Sequence, residues 1–132
     1  MGGYLNPSLN GGLPEISALG LAHVGDAVFD LMTRTWLCAT GALTARLIHG
    51  GAVSIVSAAA QSAAARRLMP ELSGEELAVY RRGRNARVNS VPHGSTHGEY
   101  HAATGLEALF GYLYLSGRTE RLEELFSMIV GD

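Results

Sequence analysis

Apolar residues recur at helical spacing along most of the chain, and no stretch of useful length alternates apolar and polar residues as a strand would. Glycine, proline and helix-capping residues divide this pattern into six segments. The segments are residues 14–40, 43–48, 52–69, 73–83, 99–116 and 119–130. In the last segment Thr119 is the expected helix cap, and the helix is expected to end before Gly131. We therefore predict a single all-α domain over residues 14–132. A flexible, glycine-rich lead-in precedes it over residues 1–13.

Several residues set the expected ends and contacts of these helices. Ser73 and Glu76 form the pattern of a capping box, which predicts the start of the fourth helix. The pair Gly50 and Gly51 predicts the end of the second helix. Gly20 and Gly25 lie inside the first helix, where glycine is unfavourable relative to alanine. Their expected use is the close approach of another backbone.

The polar segment at residues 84–98 connects the fourth and fifth helices. A loop of about 15 residues is long for a compact domain, and such loops are commonly functional or disordered. Basic residues cluster where the fourth helix passes into this loop. All ten basic residues of the chain are arginine, and four fall within a short stretch: Arg81, Arg82, Arg84 and Arg87. Arginine matches phosphate oxygens well, although a basic helix end also suits the helix dipole.

Composition narrows the class of protein. The chain has 132 residues and is 47% hydrophobic, which is enough for one folded core. Its net charge of −2 argues against binding polyanions through bulk charge. The one cysteine, Cys38, cannot form an internal disulfide. No apolar run is long enough to span a membrane, and the first residues do not resemble a signal peptide. A cytoplasmic protein is the default expectation.

Two carboxylates stand out because each lies within an apolar stretch. Asp26 lies in residues 21–30 and Glu107 in residues 104–113. A charge in a core-facing segment is costly unless it is paired or binds a metal. Gly111 and Ala103 share the helix stripe of Glu107, so a second helix could approach there. Two facing carboxylates would repel one another unless a proton or a cation lay between them, and Mg²⁺ is a suitable cation.

Simpler interpretations remain open at this stage. A single acid in an apolar helix more often pairs with an arginine than takes part in catalysis. Asp30 and Arg34 are four residues apart, which favours a helical ion pair over direct metal binding by Asp30. The histidines His93, His97 and His101 repeat at four-residue spacing, but no fourth ligand completes a zinc site.

The two acidic stretches resemble the signature motifs of the ribonuclease III family. Residues 23–28, HVGDAV, are similar to the first motif, and residues 106–113, LEALFGYL, to the second. The segment RGRNAR at residues 82–87, followed by Pro92, Tyr100 and residues 104–107, resembles the short Mini-ribonuclease III branch. That branch has no double-stranded-RNA-binding domain. The resemblance covers residues 16–130.

The resemblance implies a ribonuclease III endonuclease-domain-like helical bundle that is dimeric. It implies a magnesium-dependent endoribonuclease that cleaves double-stranded RNA to 5′-phosphate and 3′-hydroxyl ends. The implied substrate is the large-subunit (23S) ribosomal RNA precursor, with a ribosomal protein as a docking helper. The residues carried over as catalytic and metal-binding are Asp26 and Glu107. Those carried over or added as RNA-binding are Arg82, Arg84, Asn85, Arg87, His93 and Tyr100, with Asp30 and Thr104 as supporting residues.

The chain also departs from the wider family. Ala22 and Thr104 stand where full-length ribonuclease III has acids, which fits the short branch and leaves two acids for the metal. Gly50, Gly51 and Ala52 stand where the branch usually has basic residues. Weaker or more salt-sensitive RNA binding would follow. Two competing hypotheses are a non-catalytic helical RNA-binding module and a structural dimer in which arginines pair with both acids.

Overall fold

The computed structural model describes residues 2–9, 13–87 and 94–132. Six α-helices account for most of these residues, and the described ranges contain no β-strand. In chain order the helices are α1 (Ala18–Ala39), α2 (Ala45–Val56), α3 (Ala58–Leu68), α4 (Gly74–Arg84), α5 (His97–Leu115) and α6 (Thr119–Val130). Short 3₁₀ turns cover Leu13–Glu15 and Met69–Glu71. The predicted all-α fold is confirmed.

Helix α5 is the centre of the bundle. Its buried residues lie on all sides of the helix, as expected for a helix surrounded by others. Helices α1, α3, α4 and α6 all pack against it. The rings of Phe29 and Phe110 meet edge to face with centroids 5.2 Å apart, and Phe126 joins them from α6. This core fixes α1 and α5 side by side.

The crossing of α1 and α5 depends on two glycines. A Cβ atom on Gly25 would lie 1.6 Å from the carbonyl oxygen of Glu107, and one on Gly111 would lie 2.0 Å from that of Leu21. Both distances are far below van der Waals contact, so a side chain at either position would push the helices apart. The predicted close backbone approach is confirmed at Gly25 but is wrong at Gly20, where a Cβ atom would meet only side-chain atoms of Ile16 and Ser17, both at 3.1 Å.

Helix α4 crosses the other side of α5 in a similar way. A Cβ atom on Gly83 would lie 2.6 Å from that of Ala108, and one on Gly105 would lie 2.8 Å from the carbonyl oxygen of Tyr80. The first turn of α4 carries the predicted capping box between Ser73 and Glu76. Glu76 is buried and also accepts hydrogen bonds from Arg121 of α6 at 2.8 and 2.9 Å.

The predicted boundary between the second and third helices was wrong. Helix α2 continues through Gly50 and Gly51 and ends at Val56. The break falls at Ser57, which caps the end of α2 and the start of α3, and its side chain accepts a hydrogen bond from the amide of Ala60. Glycine weakens a helix without ending it. A serine can end a helix, because its side chain accepts the amide hydrogen bond that a backbone carbonyl would accept in a continuous helix.

Three other helix ends differ by a few residues. Helix α1 begins at Ala18 after its cap Ser17, so the residues just before it form a separate 3₁₀ turn. Helix α5 begins at His97 behind a second capping box, formed by Thr96 and Glu99. Thr119 is the first residue of α6, where it was predicted as the cap.

The segment before the bundle lies against the turn between α5 and α6. The amide of Leu9 donates to the carbonyl of Leu115 at 2.8 Å, and the hydroxyl of Tyr114 donates to the carbonyl of Tyr4. The division of the chain at residue 13 stays a prediction. Within the described residues no single helix has the length and apolarity to cross a membrane; a bent pair formed by 45–56 and 58–71 passes that test by length and composition.

Candidate active site

Asp26 and Glu107 are brought together by the glycine crossing of α1 and α5. Asp26 follows Gly25 directly, and Gly25 touches the backbone of Glu107. The charge of Asp26 acts on the carboxyl group of Glu107, so the two side chains lie close together. The pairing anticipated from the flanking small residues is therefore present in the fold.

The environments of the two acids differ. Asp26 is exposed, contrary to the expectation that it faces the core, whereas Glu107 is partly buried. Burial and the adjacent charge of Asp26 raise the pKa of Glu107 to about 8. Near neutral pH the pair therefore holds a proton when no cation is present. Two neighbouring carboxylates repel one another, and either a proton or a cation relieves that repulsion.

Gln61 of α3 contacts the same carboxylate from the opposite side. Its side-chain nitrogen Nε2 lies 3.4 Å from Oε2 of Glu107 and donates to the carbonyl of Val56 at 2.9 Å. The contact with Gln61 acts to lower the pKa of Glu107, against the larger effects of burial and Asp26. The acid is thus held between α1 and α3.

No arginine among the described residues forms an ion pair with Asp26 or Glu107. Arg34 pairs with Asp30 at 3.0 Å, as the four-residue spacing predicted. Arg84 donates to the side chain of Asn85 at 3.3 Å and lies over the ring of Tyr80. The hypothesis of a structural dimer whose acids are neutralised by arginines therefore has no support in this geometry.

The basic cluster lies on the exposed end of α4 and just beyond it. Its predicted RNA-binding members are all exposed to solvent: Arg82, Arg84, Asn85 and Arg87. Gly83, in the middle of this cluster, packs against α5 at Thr104, Gly105 and Ala108, next to Glu107. The arginines therefore begin within about one helical turn of the acidic pair along α5.

Comparison with known proteins agrees with this geometry. A family model described as "Ribonuclease III domain" matches residues 19–118. A Mini-ribonuclease 3 of Symbiobacterium thermophilum is 44% identical over 107 residues, covering 81% of this chain and 82% of that protein. One from a Thermoanaerobacter species is 41% identical over 119 residues, covering 90% of this chain and 84% of that protein.

A solved structure supports the same assignment. A crystal structure of a Fusobacterium nucleatum protein superposes with a TM-score of 0.82 at 26% identity, covering 89% of this chain and 96% of that one.

The chain belongs to the Mini-ribonuclease 3 branch of the ribonuclease III family.

As a member of that family the protein is an endoribonuclease, and the matched region contains both acids. Ribonuclease III enzymes generally use a divalent metal. The described residues hold no group of three or more His, Cys, Asp or Glu side chains arranged for a metal. A cation at Asp26 and Glu107 would therefore complete its coordination with water and phosphate oxygens, which is the arrangement that Mg²⁺ favours. The site fits such an ion because two carboxyl groups lie side by side, and their mutual repulsion, which raises the pKa of Glu107, is what a bound cation would relieve.

The supporting residues predicted for this ribonuclease lie near the acids but have other partners. The hydroxyl of Thr104 is buried and donates to the carbonyl of Tyr100 at 2.9 Å. Tyr100 is partly buried on the first turn of α5 and meets the ring of His101 edge to face. Asp30 is engaged with Arg34. His93 lies outside the described residues, so its predicted contact with RNA stays a prediction.

Gln61 is the residue of this ribonuclease site whose role sequence reasoning missed. Nothing in its local sequence indicated a contact with an acid 46 positions later. A polar side chain inside an alanine-rich helix was the available signal. Such a residue in a buried face needs partners.

Proposed function

We propose that this protein is a magnesium-dependent endoribonuclease that cleaves double-stranded RNA and matures the ends of the large-subunit (23S) ribosomal RNA precursor. The observation that carries the proposal is the proximity of Asp26 and Glu107 at the glycine crossing, since neither acid has an arginine partner among the described residues. The relatives named Mini-ribonuclease 3 support it.

Asp26 and Glu107 are the residues that would hold the ion. A Mg²⁺ ion held there would activate water and stabilise the leaving oxygen, which is the chemistry that yields 5′-phosphate and 3′-hydroxyl ends. The chain's own contribution is to fix the two carboxylates at a backbone contact between α1 and α5, so that little reorganisation is needed when the ion binds. Glu107 would release its carboxyl proton on binding.

The exposed arginines at the end of α4 would hold the RNA backbone next to the acids. Arginine binds phosphate through paired hydrogen bonds, and A-form RNA is recognised mainly through its backbone and shape. The net charge of −2 means that this local cluster, and not the whole surface, must supply the attraction. A ribosomal protein that docks the enzyme on its substrate would compensate for the small number of basic residues. The cytoplasm is the compartment in which the enzyme and that protein would meet.

We further propose a homodimer formed across α1. One side of this helix carries four exposed residues at four-residue spacing: Leu19, His23, Ala27 and Leu31. Leu19 is 41% and Leu31 is 57% exposed, so a large apolar side chain faces solvent at each end of this row. Beside them lies an apolar groove of about 520 Å³ between α1 and α6. A second copy that covers this surface would place two acidic pairs on one assembly, one for each RNA strand.

Cleavage assays on substitutions of the two acids test the proposed reaction. Asp26→Asn and Glu107→Gln should each lower cleavage of a ribosomal RNA precursor at least about 100-fold, because each removes a carboxylate from the ion. Circular dichroism should show the same helical content as the wild type. Glu120→Gln, which neutralises an exposed acid at the start of α6, is the matched control and should retain activity.

The same assay separates the competing function. Cleavage by the wild type in Mg²⁺ that stops when a chelator is added supports the nuclease. Binding of the precursor without any cut, with Mg²⁺ present, would instead identify a non-catalytic RNA-binding module and overturn the proposal. Mapping the new ends of the precursor tests whether the 23S termini are the sites of cleavage.

A further inference from the structure

Gln61 occupies a position that its burial makes unfavourable. Gln61 is only 2% exposed and lies on a face of α3 that is otherwise lined by alanine, serine and leucine. Its side-chain oxygen Oε1 is buried and has no hydrogen-bond partner among the described residues. A buried polar atom without a partner costs stability, so an aliphatic side chain would serve packing better.

The orientation of the amide is set by the break between α2 and α3. In a continuous helix the carbonyl of Val56 would accept a hydrogen bond from the amide of Ala60. That amide donates instead to the side chain of Ser57, at 3.2 Å. The carbonyl of Val56 therefore needs another donor, and Nε2 of Gln61 supplies it at 2.9 Å. Because a carbonyl can accept only from the nitrogen end of the amide, Nε2 is fixed toward it.

This orientation directs the second hydrogen of Nε2 toward Glu107. The contact with Oε2 of Glu107 is 3.4 Å, at the long end for a hydrogen bond. Gln61 thus reaches the carboxylate of Glu107 from α3, whereas Asp26 reaches it from α1.

We propose that Gln61 is a positioning residue that orients the carboxylate of Glu107 for the metal ion. The inference rests on the proposed function, since it assumes a divalent cation between Asp26 and Glu107. Residues that donate hydrogen bonds to metal-binding carboxylates fix the direction of the ligating oxygens, and their loss commonly weakens metal binding by about 10- to 100-fold. Gln61 itself does not touch the ion or the RNA in this role.

The alternative is that Gln61 only caps the end of α2. A cap would affect stability and leave metal binding unchanged. Ser57→Ala provides the matched control, because it removes a side-chain hydrogen bond at the same helix break and leaves the contact between Gln61 and Glu107 in place. Gln61→Met removes both donor contacts with a similar side-chain volume, and Gln61→Asn keeps a buried amide that is too short to reach both partners.

The experiment is a Mg²⁺ titration of the purified full chain, followed by calorimetry and by the rise in melting temperature, without RNA. Gln61→Met should weaken Mg²⁺ binding about tenfold or more, and Gln61→Asn should weaken it to a smaller extent. Ser57→Ala should lower the melting temperature yet bind Mg²⁺ within about twofold of the wild type. Should Gln61→Met fail to fold, Gln61→Asn decides by the same comparison.

Three results would overturn the proposal, and they are distinguishable. Wild-type affinity in folded Gln61 variants would overturn the positioning role alone. Equal weakening by Ser57→Ala would show that the helix break, and not the amide, sets the affinity. A wild-type protein that gives no Mg²⁺ response, with Asp26→Asn indistinguishable from it, would overturn the proposed metal site together with this inference.

Discussion

At the scale of single residues, the carboxyl proton of Glu107 makes stability depend on pH. In the folded protein burial and Asp26 raise the pKa of Glu107 to about 8 from the ordinary value of 4.5. Between these two values the folded state holds a proton that the unfolded state releases. Without metal, this group therefore destabilises the fold progressively as the pH rises from about 4.5 to 8. Below that window it has no effect.

Glu107→Gln tests this dependence, because a neutral amide resembles the protonated acid at every pH. In the presence of a chelator, the variant should melt at least about 5 °C above the wild type at pH 8 and close to it at pH 5. The melting temperatures of both proteins can be followed by circular dichroism. Since the two proteins differ only at this residue, the comparison isolates Glu107. A difference that is the same at both pH values would contradict the assignment.

At the scale of helices, the glycine crossing of α1 and α5 has no room for a side chain. A Cβ atom on Gly25 would lie 1.6 Å from a backbone oxygen, which no rotamer change can relieve. Gly25→Ala should therefore lower the free energy of unfolding by about 3 kcal/mol or more. Cleavage should fall as well, because Asp26 moves with the displaced helix.

Gly50→Ala is the matched control, since it places the same substitution inside another helix. A Cβ atom on Gly50 meets nothing within 4 Å. Alanine is the better helix former there, so this variant should gain about 0.5 to 1 kcal/mol. Urea unfolding measures both changes. If the two alanines shifted the midpoint in the same direction, the close contact at Gly25 would not be the cause.

How far the sequence predicts these helices depends on whether the signal is local. The capping box of Ser73 and Glu76 and the glycine that ends α6 act within a few residues, and both were predicted correctly. The break at Ser57 was missed because serine is common in that alanine-rich stretch, so nothing in the pattern marked it as a cap. The pair Gly50 and Gly51 gave a stronger signal, and it led to the wrong helix boundary.

The site shows the same limit. Two acids in apolar stretches, flanked by small residues, were enough to predict the contact between Asp26 and Glu107. The contribution of Gln61 depends on α3 packing against α5, which one helix's sequence cannot specify. The exposure of Asp26 was also missed, because the apolar residues around it occupy a different side of α1 and surround it only along the chain.

At the scale of the whole molecule, the exposed leucines of α1 determine the expected assembly. If two copies meet across this helix, Leu31→Glu should convert the dimer to a monomer, because it buries a charge without a partner. Sedimentation velocity or light scattering after size-exclusion chromatography gives the mass directly. Leu43→Glu is the control: Leu43 is 82% exposed, lies outside the α1 surface, and should leave the dimer intact.

Two other outcomes would contradict this interface. A wild-type protein with the mass of one chain would exclude the dimer in solution. A dimer that survives Leu31→Glu but dissociates in Leu43→Glu would move the interface to the segment between α1 and α2.

The glycine crossing has one more consequence, which concerns tolerance to change. The two backbones are in direct contact and cannot approach further, so main-chain atoms set the separation of α1 and α5 at Asp26 and Glu107. Side-chain packing elsewhere holds the helices together but does not set this distance. Core residues such as Phe126 can therefore become smaller, with a loss of stability, while the acids keep their spacing. Away from the crossing itself, substitutions in the core should therefore change the stability of the fold more than the geometry of the site.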